Sequence, residues 1–557
     1  MNKIWLKSYP QGVPAEIDTN RYPSLKHIFE ESFSKFRDQP AYTNMDVTLS
    51  YGDIEEHSRR FGAWLQNVAG LRKGDRVALM MPNVLQYPIA IAGALRAGMT
   101  LVNTNPLYTP RELEHQLKDS GAKAIVILEN FAHVLQEVIG STEVKHVILT
   151  GVGDLLGFPK SLIVNFVLRH VRKQVPAYSL PGAIRFSDAL RAGRAFDLQP
   201  VDVGHEDIAF LQYTGGTTGV AKGAVLTHRN MVANVLQAAA WLETAAPPAG
   251  TDIVITALPL YHIFSLTANC LVFMQSGARN VLITNPRDFT AFVAELNKYR
   301  FTYFSGVNTL FNALLNTPGF DKVDFSALTV TLGGGMAVQA AVAARWKQVT
   351  GKILTQAWGL TETSPAACIN PLVNHEFNGS IGLPISSTEV SIRDDDGREL
   401  GINEVGEICV RGPQVMRGYW QRPDETAKVM FQDGWLRTGD VGRIDDRGYV
   451  YIEDRKKDMI LVSGFNVYPN EVESVAVTHP GVLEVAAVAQ ADERAGEVVA
   501  LFVVKKDPSL TAEQLVAHCR KSLTGYKVPK HVYFRNELPK TNVGKILRRA
   551  LRDELPK

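Results

Sequence analysis

The residues best suited to chemistry lie in one stretch, QYTGGTTGVAKG at 212–223, where four glycines and three threonines accompany a single lysine. Backbone amides exposed by glycine, threonine hydroxyls and an ammonium group are donors that can surround phosphate oxygens. A Walker A motif needs glycine directly before its lysine and serine or threonine directly after it. Here Ala221 precedes Lys222 and Gly223 follows it. The sequence therefore predicts a phosphate-binding loop of another kind, with Lys222 as a mobile cation.

The patterns on either side of this loop predict two strands. DIAFLQYT at 207–214 has the pattern of a strand, and AVLTH at 224–228 resumes one. Thr227 is suited to cap a helix predicted over 228–242, because its hydroxyl can accept a hydrogen bond from the first turn. We therefore expect a strand–loop–strand unit, whereas a Walker A loop leads from a strand into a helix.

Up to residue 400, short β-branched runs alternate with helical patterns. RVALMMP is followed by VLQYPIAIAGALRAG, and AKAIVIL is followed by FAHVLQEVIG. Such alternation predicts βαβ units and largely parallel sheets. Residues 391–453 instead show short strands and tight turns, as in RIDDRGYVYIED, which predict antiparallel hairpins.

The charged segment DRKKDM at 454–459 separates these hairpins from a tail of mixed helices and strands. It is either an ordinary exposed turn or a hinge. We predict a large α/β N-terminal domain at 1–453, which contains parallel-rich sheets and a β-rich subdomain. A small α+β C-terminal domain at 460–557 would be joined to it by the hinge.

Length and composition narrow the class of protein. A chain of 557 residues is too long for one hydrophobic core. Its 59 basic and 57 acidic residues give a net charge of +2, which argues against a nucleic-acid-binding surface. The four cysteines lie far apart without a CxxC pair, as in a reduced cytosolic protein. The first residues lack the apolar run of a signal peptide, so we expect a cytoplasmic protein that is soluble or at most peripheral.

One segment departs from this pattern. GFPKSLIVNFVLRHVRKQVP at 157–176 combines an apolar run with four basic residues, Lys160, Arg169, Arg172 and Lys173. It is either a surface helix packed on the domain or an interfacial contact with a membrane, since basic amphipathic helices bind lipid headgroups.

Six further blocks follow the glycine-rich loop in order: ALPLYHIF, TLGGGMA, QAWGLTET, GWLRTGD, DRKKDMILVSGFNVYPNEVE and PKTNVGKILRR. Together they resemble the adenylate-forming superfamily, which includes acyl-CoA synthetases, luciferases and peptide-synthetase adenylation domains. DGWLRTGDVGRIDDRGYVYIEDRKK is similar to the signature of fatty-acyl-CoA synthetases. The whole chain resembles the bacterial long-chain fatty-acid–CoA ligases.

The resemblance implies an enzyme that uses ATP, Mg²⁺ and coenzyme A. A fatty-acid carboxylate would attack the α-phosphate of ATP to give acyl-AMP and pyrophosphate, and coenzyme A would then displace AMP. Peripheral contact with the inner face of the plasma membrane and a homodimer are further expectations. Two rivals stay open, namely a standalone ligase that passes acyl-AMP to a carrier protein, and a non-catalytic, membrane-associated nucleotide-binding protein.

The resemblance also implies four catalytic residues. Lys545 would neutralise charge between the carboxylate and the α-phosphate, and Glu362 would ligate Mg²⁺. Thr361 would contact the α-phosphate, and His262 would act as an aromatic gate beside the acyl carboxylate. Local sequence alone allows plainer interpretations, because GLTET is also typical of a helix N-cap. His262 also fits a histidine packed between aromatic neighbours.

A second set would bind the nucleotide or coenzyme A: Thr214, Gly215, Gly216, Thr217, Thr218, Gly219, Lys222, Gly334, Gly335, Trp358, Gly359, Asp440, Arg455, Lys457 and Gly464. Thr217 would join Glu362 as a metal ligand. Trp358 stands where relatives usually have tyrosine, and its larger face suits stacking on adenine. Asp440 would accept hydrogen bonds from both ribose hydroxyls, unless TGD is only a turn. Lys457 is either the hinge residue or a solvated turn cation, and Gly464 would line a pantetheine channel.

Overall fold

The structure, a computed structural model, describes residues 3–214, 221–245, 248–373, 376–492, 494–541 and 543–555. Its strands, in chain order, are β1 (Pro40–Asn44), β2 (Val47–Ser50), β3 (Arg76–Met80), β4 (Thr100–Asn103), β5 (Ala122–Leu128), β6 (His146–Thr150), β7 (Ile184–Arg185), β8 (Ile208–Thr214), β9 (Lys222–Thr227), β10 (Ile253–Thr256), β11 (Arg279–Leu282), β12 (Tyr303–Gly306), β13 (Val330–Gly333), β14 (Leu354–Gly359), β15 (Ala366–Ile369), β16 (Leu383–Pro384), β17 (Glu389–Arg393), β18 (Gly406–Arg411), β19 (Leu436–Ile444), β20 (Val450–Arg455), β21 (Ile460–Val462), β22 (Phe465–Val467), β23 (Val482–Asp492), β24 (Gly496–Lys505) and β25 (His531–Arg535).

The α-helices are α1 (Leu25–Lys35), α2 (Tyr51–Asn67), α3 (Gln86–Arg96), α4 (Pro110–Ser120), α5 (Ala132–Val138), α6 (Lys160–Phe166), α7 (Phe186–Gly193), α8 (His228–Leu242), α9 (Ile263–Ser265), α10 (Val272–Ser276), α11 (Phe289–Leu296), α12 (Asn308–Leu315), α13 (Ala340–Thr350), α14 (Pro423–Val429), α15 (Pro469–Ala476), α16 (Ala512–Arg520) and α17 (Arg548–Asp553). A π-helical segment, Leu266–Leu271, joins α9 to α10.

Two large sheets form the framework of the N-terminal part. One has the strand order β16-β15-β14-β13-β12-β10-β11-β1-β2, and the other has the order β7-β6-β5-β3-β4-β8-β9. Their central pairs are parallel, and antiparallel pairs occur toward the edges, as between β8 and β9. Strands β17 to β20 form a separate antiparallel sheet. The C-terminal sheet combines antiparallel β23 and β24 with a parallel β25. These sheets confirm the predicted fold class.

The nine-stranded sheet brings several predicted site residues to one edge. β13 ends directly before Gly334 and Gly335, and β14 ends at Gly359, two residues before the 3₁₀ turn Thr361–Thr363. His262 follows β10 and caps α9. In open sheets of this kind, ligands bind outside the carboxyl ends of the parallel strands. The fold therefore places these separate blocks around one crevice.

The strands next to the glycine-rich loop match their prediction. β8 and β9 pair with Thr214 opposite Lys222. The Thr227 hydroxyl accepts from the amide of Asn230 at 3.2 Å, and the Asn230 side chain accepts from the amide of Thr227 at 2.9 Å. This reciprocal cap anchors α8 directly after β9. The loop residues themselves lie outside the described residues, namely Gly215, Gly216, Thr217, Thr218 and Gly219.

The basic apolar segment at 157–176 is a surface helix, α6, which continues as a π-helical turn. Val164 and Leu168 pack against the main core, and Asn165 donates to Asp154 at 2.8 Å. The outer side carries five exposed large apolar residues, Phe158, Leu162, Ile163, Phe166 and Val171. Among the helices that the structure describes, none is long and apolar enough to cross a membrane.

The C-terminal part is seated on the N-terminal part through α12. The Thr309 hydroxyl donates to the backbone oxygen of Gly544 at 2.8 Å, and the Asn312 amide donates to the oxygen of Leu483 at 3.1 Å. Because Gly544 directly precedes Lys545, the first of these contacts fixes where that lysine enters the N-terminal part.

The predicted hinge at 454–459 begins inside β20. Asp454 pairs with β19 through its backbone, whereas its buried carboxylate accepts from Arg548 at 3.2 Å and from the amide of Asn470 at 2.8 Å. Arg548 also donates to Glu473 at 2.8 Å. Asp454 thus belongs to the four-stranded sheet by its backbone and to the C-terminal part by its side chain.

Candidate active site

A pocket opens at the crevice beside β13 and β14. One part of its lining is polar or made of backbone, with His262, Gly334, Gly335, Thr361 and Lys545. Another part is apolar, with Ala238, Trp241, Leu242, Phe264, Ala268, Val272, Val330, Leu332, Ile369 and Leu372. Pockets that combine an apolar lining with a few polar groups are typical of small-molecule sites.

Lys545 reaches this pocket from the C-terminal part. A Cβ built on Gly335 would lie 3.2 Å from its Cε atom, so the lysine stem passes directly over that glycine. Burial lowers the pKa of Lys545 to about 8, and the nearby Arg455 cation acts in the same direction. Asp440 and Glu362 oppose this shift. Four residues from four of the predicted blocks, Gly335, Glu362, Asp440 and Arg455, therefore lie against Lys545 or act on its charge.

His262 lies in the same wall as a partly buried side chain. Its Nδ1 accepts from the amide of Phe264 at 3.3 Å. Burial, with a smaller contribution from the Lys545 charge, lowers the pKa of His262 to about 3. The imidazole is therefore neutral at neutral pH and a weak base. This chemistry agrees with a geometric role for His262 rather than a role as general base.

Trp358 and Asp440 form a buried polar contact. The indole Nε1 donates to the Oδ2 of Asp440 at 2.8 Å, and the Nε of Arg455 lies 3.1 Å from Oδ1. Both carboxylate oxygens predicted to bind ribose are thus engaged. The indole lines the pocket next to Gly359, where a Cβ would lie 1.7 Å from the backbone oxygen of Pro365. That close approach requires glycine at position 359.

Thr361 and Glu362 form the start of the 3₁₀ turn at the pocket wall. The Tyr419 hydroxyl donates to the Oε1 of Glu362 at 2.7 Å, and burial raises the pKa of Tyr419, so the hydroxyl keeps its proton. Neither the Oε2 of Glu362 nor the hydroxyl of Thr361 has a hydrogen-bond partner within the described part of the chain. The turn therefore presents two side-chain oxygens, the Oε2 of Glu362 and the hydroxyl of Thr361, that make no hydrogen bond within the described residues.

Lys222 is not a free cation in this structure. Its Nζ forms an ion pair with the Oε2 of Glu425 in α14 and lies 5.2 Å from the centre of the Tyr419 ring. The prediction of a mobile lysine did not include this partner. Tyr419 and Glu425, in GYWQRPDET, were not predicted as site residues, because the stretch has the composition of an ordinary turn and helix start.

Lys457 and Gly464, two further predicted residues, do not line the pocket. Gly464, with φ +85°, lies in the turn between β21 and β22, where open space surrounds the position of an added Cβ. Lys457 is exposed, and its backbone oxygen accepts from Arg552 at 3.5 Å. In the arrangement of the structure, neither residue lines the pocket that Lys545 completes, although the charges of Arg455 and Asp440 act on Lys457.

Comparison with known proteins agrees with this geometry. The family model of AMP-binding enzymes matches residues 29–420, and the model of the AMP-binding enzyme C-terminal domain matches residues 471–545. The chain belongs to the AMP-binding enzyme family.

The chain is similar to the following proteins over nearly their whole length. The chain is 59% identical to the long-chain-fatty-acid–CoA ligase of Yersinia pestis, over 100% of this chain and 98% of that protein. The crystal structure of ATP-bound MatB from Rhodopseudomonas palustris shares 27% identity with a TM-score of 0.81, over 95% of this chain and 98% of that one. The anthranilate CoA ligase AuaEII in complex with anthranoyl-AMP shares the fold, with a TM-score of 0.85 at 24% identity over 96% of this chain and 98% of that one.

Proposed function

We propose that this enzyme is a long-chain fatty-acid–CoA ligase. In the first step a carboxylate oxygen of the fatty acid attacks the α-phosphorus of ATP, the bond to the β-phosphate oxygen breaks, and pyrophosphate leaves. In the second step the sulfur of coenzyme A attacks the acyl carbon, AMP leaves, and the thiol proton is released. The observation that carries the proposal is Lys545, which the C-terminal part inserts into a pocket with both a polar and an apolar lining.

The first step brings two anions together, so it needs fixed positive charge. Lys545 is placed to neutralise the carboxylate and the α-phosphate as they approach each other. Lys222, at the end of the phosphate loop, would hold the outer phosphates and follow pyrophosphate as it leaves. Thr361 would donate its unpartnered hydroxyl to an α-phosphate oxygen.

The nucleoside would occupy the side of the pocket that Trp358 and Asp440 border. The indole face suits stacking on adenine, and Gly334 and Gly335 let the base lie close to the backbone. Asp440 would accept from the ribose hydroxyls. Arg455, whose side chain is about half exposed, can leave Asp440 and turn to ribose or phosphate when the nucleotide binds.

The residues present fit a bound Mg²⁺. Glu362 offers one carboxylate oxygen that Tyr419 leaves without a donor, and oxygen is the ligand that Mg²⁺ prefers. The described residues include no group of three or more His, Cys, Asp or Glu that could hold a metal by itself. This agrees with the usual Mg²⁺ site of one or two carboxylates completed by substrate phosphates. When bound, the ion would neutralise phosphate charge, with Thr217 as the second protein ligand.

For the second step, we propose that the C-terminal domain reorients. The domains would be residues 1–453 and 460–557, with the hinge at 454–459 and Lys457 as its pivot. Reorientation would withdraw Lys545 and bring the turn with Gly464 to the pocket, where a glycine leaves room for pantetheine. The exposed position of both Lys457 and Gly464 supports this proposal.

The apolar part of the pocket lining would bind the acyl chain of the fatty acid. Each methylene buried there contributes about 0.8 kcal/mol to binding, so the apolar part of the pocket favours long acids over short ones. We expect kcat/KM to be highest for acids of roughly C12–C18, in a panel from C4 to C18 that measures AMP release with free coenzyme A. A maximum at C4 or C6 would contradict the long-chain assignment and leave the ligase reaction intact.

A matched pair of variants tests whether the apolar part of the pocket holds the acyl chain. Ala238 lines the pocket on α8, and its neighbour Ala239 does not. We expect Ala238→Phe to lower the ratio of C16 to C6 activity by about tenfold or more, because an added ring removes space worth several methylenes. Ala239→Phe should leave the ratio unchanged. Acyl-AMP that forms but passes only to a carrier protein, and not to free coenzyme A, would favour the standalone acyl-AMP ligase instead.

We also propose that the enzyme contacts the inner face of the plasma membrane through α6 and its continuation. Phe158 is 87% exposed and Val171 is 65% exposed, which is unusual for large apolar side chains. Arg172 and Lys173, at the end of this segment, have no ion pair with any residue that the structure describes. Exposed apolar side chains beside unpaired cations suit an anionic lipid surface.

Vesicle co-sedimentation tests this contact. The enzyme should bind vesicles that contain anionic phospholipid and bind neutral vesicles less. Phe166→Glu should abolish binding, whereas Ile402→Glu, at an exposed apolar residue elsewhere, should not. Equal binding by both variants would exclude this surface.

A further inference from the structure

Glu425 makes a contact that the reaction described above does not use. Its Oε2 pairs with the Nζ of Lys222, and its Oε1 pairs with Lys428 one turn further along α14. Lys222 and Glu425 are each about one-third exposed, so both are shielded from solvent in part. The lysine expected to meet ATP phosphates is therefore already neutralised by a carboxylate of its own chain.

The backbone holds this pair in place. Residues 418–420 run beside β9, where the amide of Trp420 donates to the oxygen of Gly223 at 2.7 Å and the amide of Val225 donates to the oxygen of Gly418 at 2.9 Å. The amide of Tyr419 donates to the hydroxyl of Thr426 at 2.9 Å, which ties this segment to α14. The strand that carries Lys222 and the helix that carries Glu425 are thus connected through fixed contacts.

Glu425 keeps its charge throughout the working range of pH. Its hydrogen bond to Lys222, followed by that to Lys428, lowers the pKa of Glu425 to about 2. The same Lys222 ammonium lies over the Tyr419 ring, and Tyr419 donates to Glu362, the proposed Mg²⁺ ligand. The pair therefore lies beside the place where the phosphates and the metal would meet.

We propose that Glu425 occupies, on Lys222, the position that ATP phosphate oxygens take, and that it thereby sets the affinity for ATP. This inference rests on the proposed function, because it takes ATP as the ligand of Lys222. Two anions that share one lysine compete, so ATP must displace Glu425 or bind beside it against charge repulsion. Glu425 is then a residue that positions Lys222 and limits nucleotide affinity, without contact to the reacting atoms.

The test measures ATP binding by isothermal titration calorimetry, without fatty acid and without coenzyme A, so that no turnover takes place. Glu425→Gln keeps the shape of the side chain and removes its charge. We expect this variant to bind ATP roughly twofold to fivefold more tightly, which is the range for releasing an ion pair at the protein surface. The gain should shrink at high salt.

Two controls separate this effect from general electrostatics. Asp424→Asn removes the same charge one residue earlier, at an exposed position, and should change the ATP affinity by less than twofold. In a Lys222→Gln background, Glu425→Gln should no longer increase affinity, because the shared cation is gone.

Each other outcome contradicts the inference. Unchanged affinity in Glu425→Gln would show that the pair does not compete with ATP, and weaker binding would show that Glu425 supports Lys222 instead. An equal gain in Asp424→Asn would assign the effect to net charge. Failure of the unmodified enzyme to bind ATP at all would overturn the proposed function itself, so the two failures are distinguishable.

Discussion

The indole Nε1 of Trp358 donates to the Oδ2 of Asp440 at 2.8 Å, across 82 positions of the sequence. This bond joins the end of β14 to β19, and so connects the nine-stranded sheet to the antiparallel sheet. Since Asp440 is almost fully buried, its orientation depends on partners such as this one. The residue expected to hold adenine thus also orients the residue expected to hold ribose.

Trp358→Phe tests this coupling. The variant retains an aromatic face for adenine but removes the donor to Asp440. We expect KM for ATP to rise about tenfold, because a buried carboxylate oxygen loses its partner and its fixed direction. kcat should stay within about threefold, since no group at the reacting atoms changes. Steady-state kinetics with varied ATP measures both. A lower KM would instead identify the indole as a competitor of the ribose.

Lys545→Ala should separate the two half-reactions. Adenylation, measured as pyrophosphate exchange, should fall by about 10²–10³ or more, the range for loss of one preorganised charge. Thioester formation from supplied acyl-AMP and coenzyme A should stay within about tenfold, because the proposed second arrangement withdraws Lys545. Lys530→Ala, which removes an exposed cation paired with Asp492, is the matched control and should affect neither step. A parallel loss in both halves would refute the domain-alternation proposal.

The lowered pKa of Lys545 predicts how kcat/KM for adenylation depends on pH. At about 8, this pKa lies below the ordinary value of 10.5, so the free enzyme loses the ammonium charge above pH 8. The kcat/KM for adenylation reports the free enzyme, and it should be level near pH 7 and fall as pH rises through 8. Because bound phosphate favours the charged form, the corresponding fall in kcat should occur at higher pH.

Lys545→Arg provides the control for this profile. Its guanidinium remains charged throughout, so the alkaline fall should disappear even if the rate itself is lower. His262, with a pKa of about 3, should add no inflection between pH 5 and 8. A profile for the unmodified enzyme that stays level to pH 10 would show that Lys545 is not the titrating group.

Substitutions at Gly464 can separate an effect on the turn between β21 and β22 from an effect on the proposed pantetheine channel. Ser463 and Gly464 both have positive φ, at 52° and 85°, in the two-residue turn between β21 and β22. Asparagine tolerates this conformation, whereas leucine is strained in it. We expect Gly464→Asn to keep Tm within about 3 °C and to slow thioester formation by about tenfold or more, with adenylation retained, if its side chain obstructs pantetheine.

The comparison with Gly464→Leu completes this test. Leucine should slow the thioester step further and also lower Tm, because strain is added to obstruction. Full thioester activity in Gly464→Asn would mean that position 464 serves the turn alone.

Local patterns in the sequence were sufficient for the framework. Alternating β-branched and helical runs predicted the parallel sheets, and the hairpin signals after residue 391 predicted the antiparallel sheet. The cap at Thr227 and the strands on either side of the glycine-rich loop were also predicted. These features depend on side-chain periodicity, turn residues and capping groups, which act between neighbours in the chain.

The family and the types of its site residues also followed from the sequence. Six blocks in a fixed order identify the family, whereas any one block alone would not. His262, Thr361 and Lys545 line one pocket, as the resemblance implied. The assigned roles stay predictions, and those for residues 215–219 lie outside the described residues. The sequence could not predict that Lys457 and Gly464 would not line this pocket, because their position depends on how the C-terminal part is seated.

What the sequence by itself determined is therefore the set of elements and the chemistry available at their ends. Only the tertiary structure decided which groups pair with one another: Lys222 with Glu425, 203 positions away, Glu362 with Tyr419, 57 positions away, and Asp440 with Trp358. No short-range rule connects such pairs, since their distances depend on how separate sheets and helices pack. Because the strength of a charged contact depends on distance and burial, the electrostatics of the site are a property of that packing.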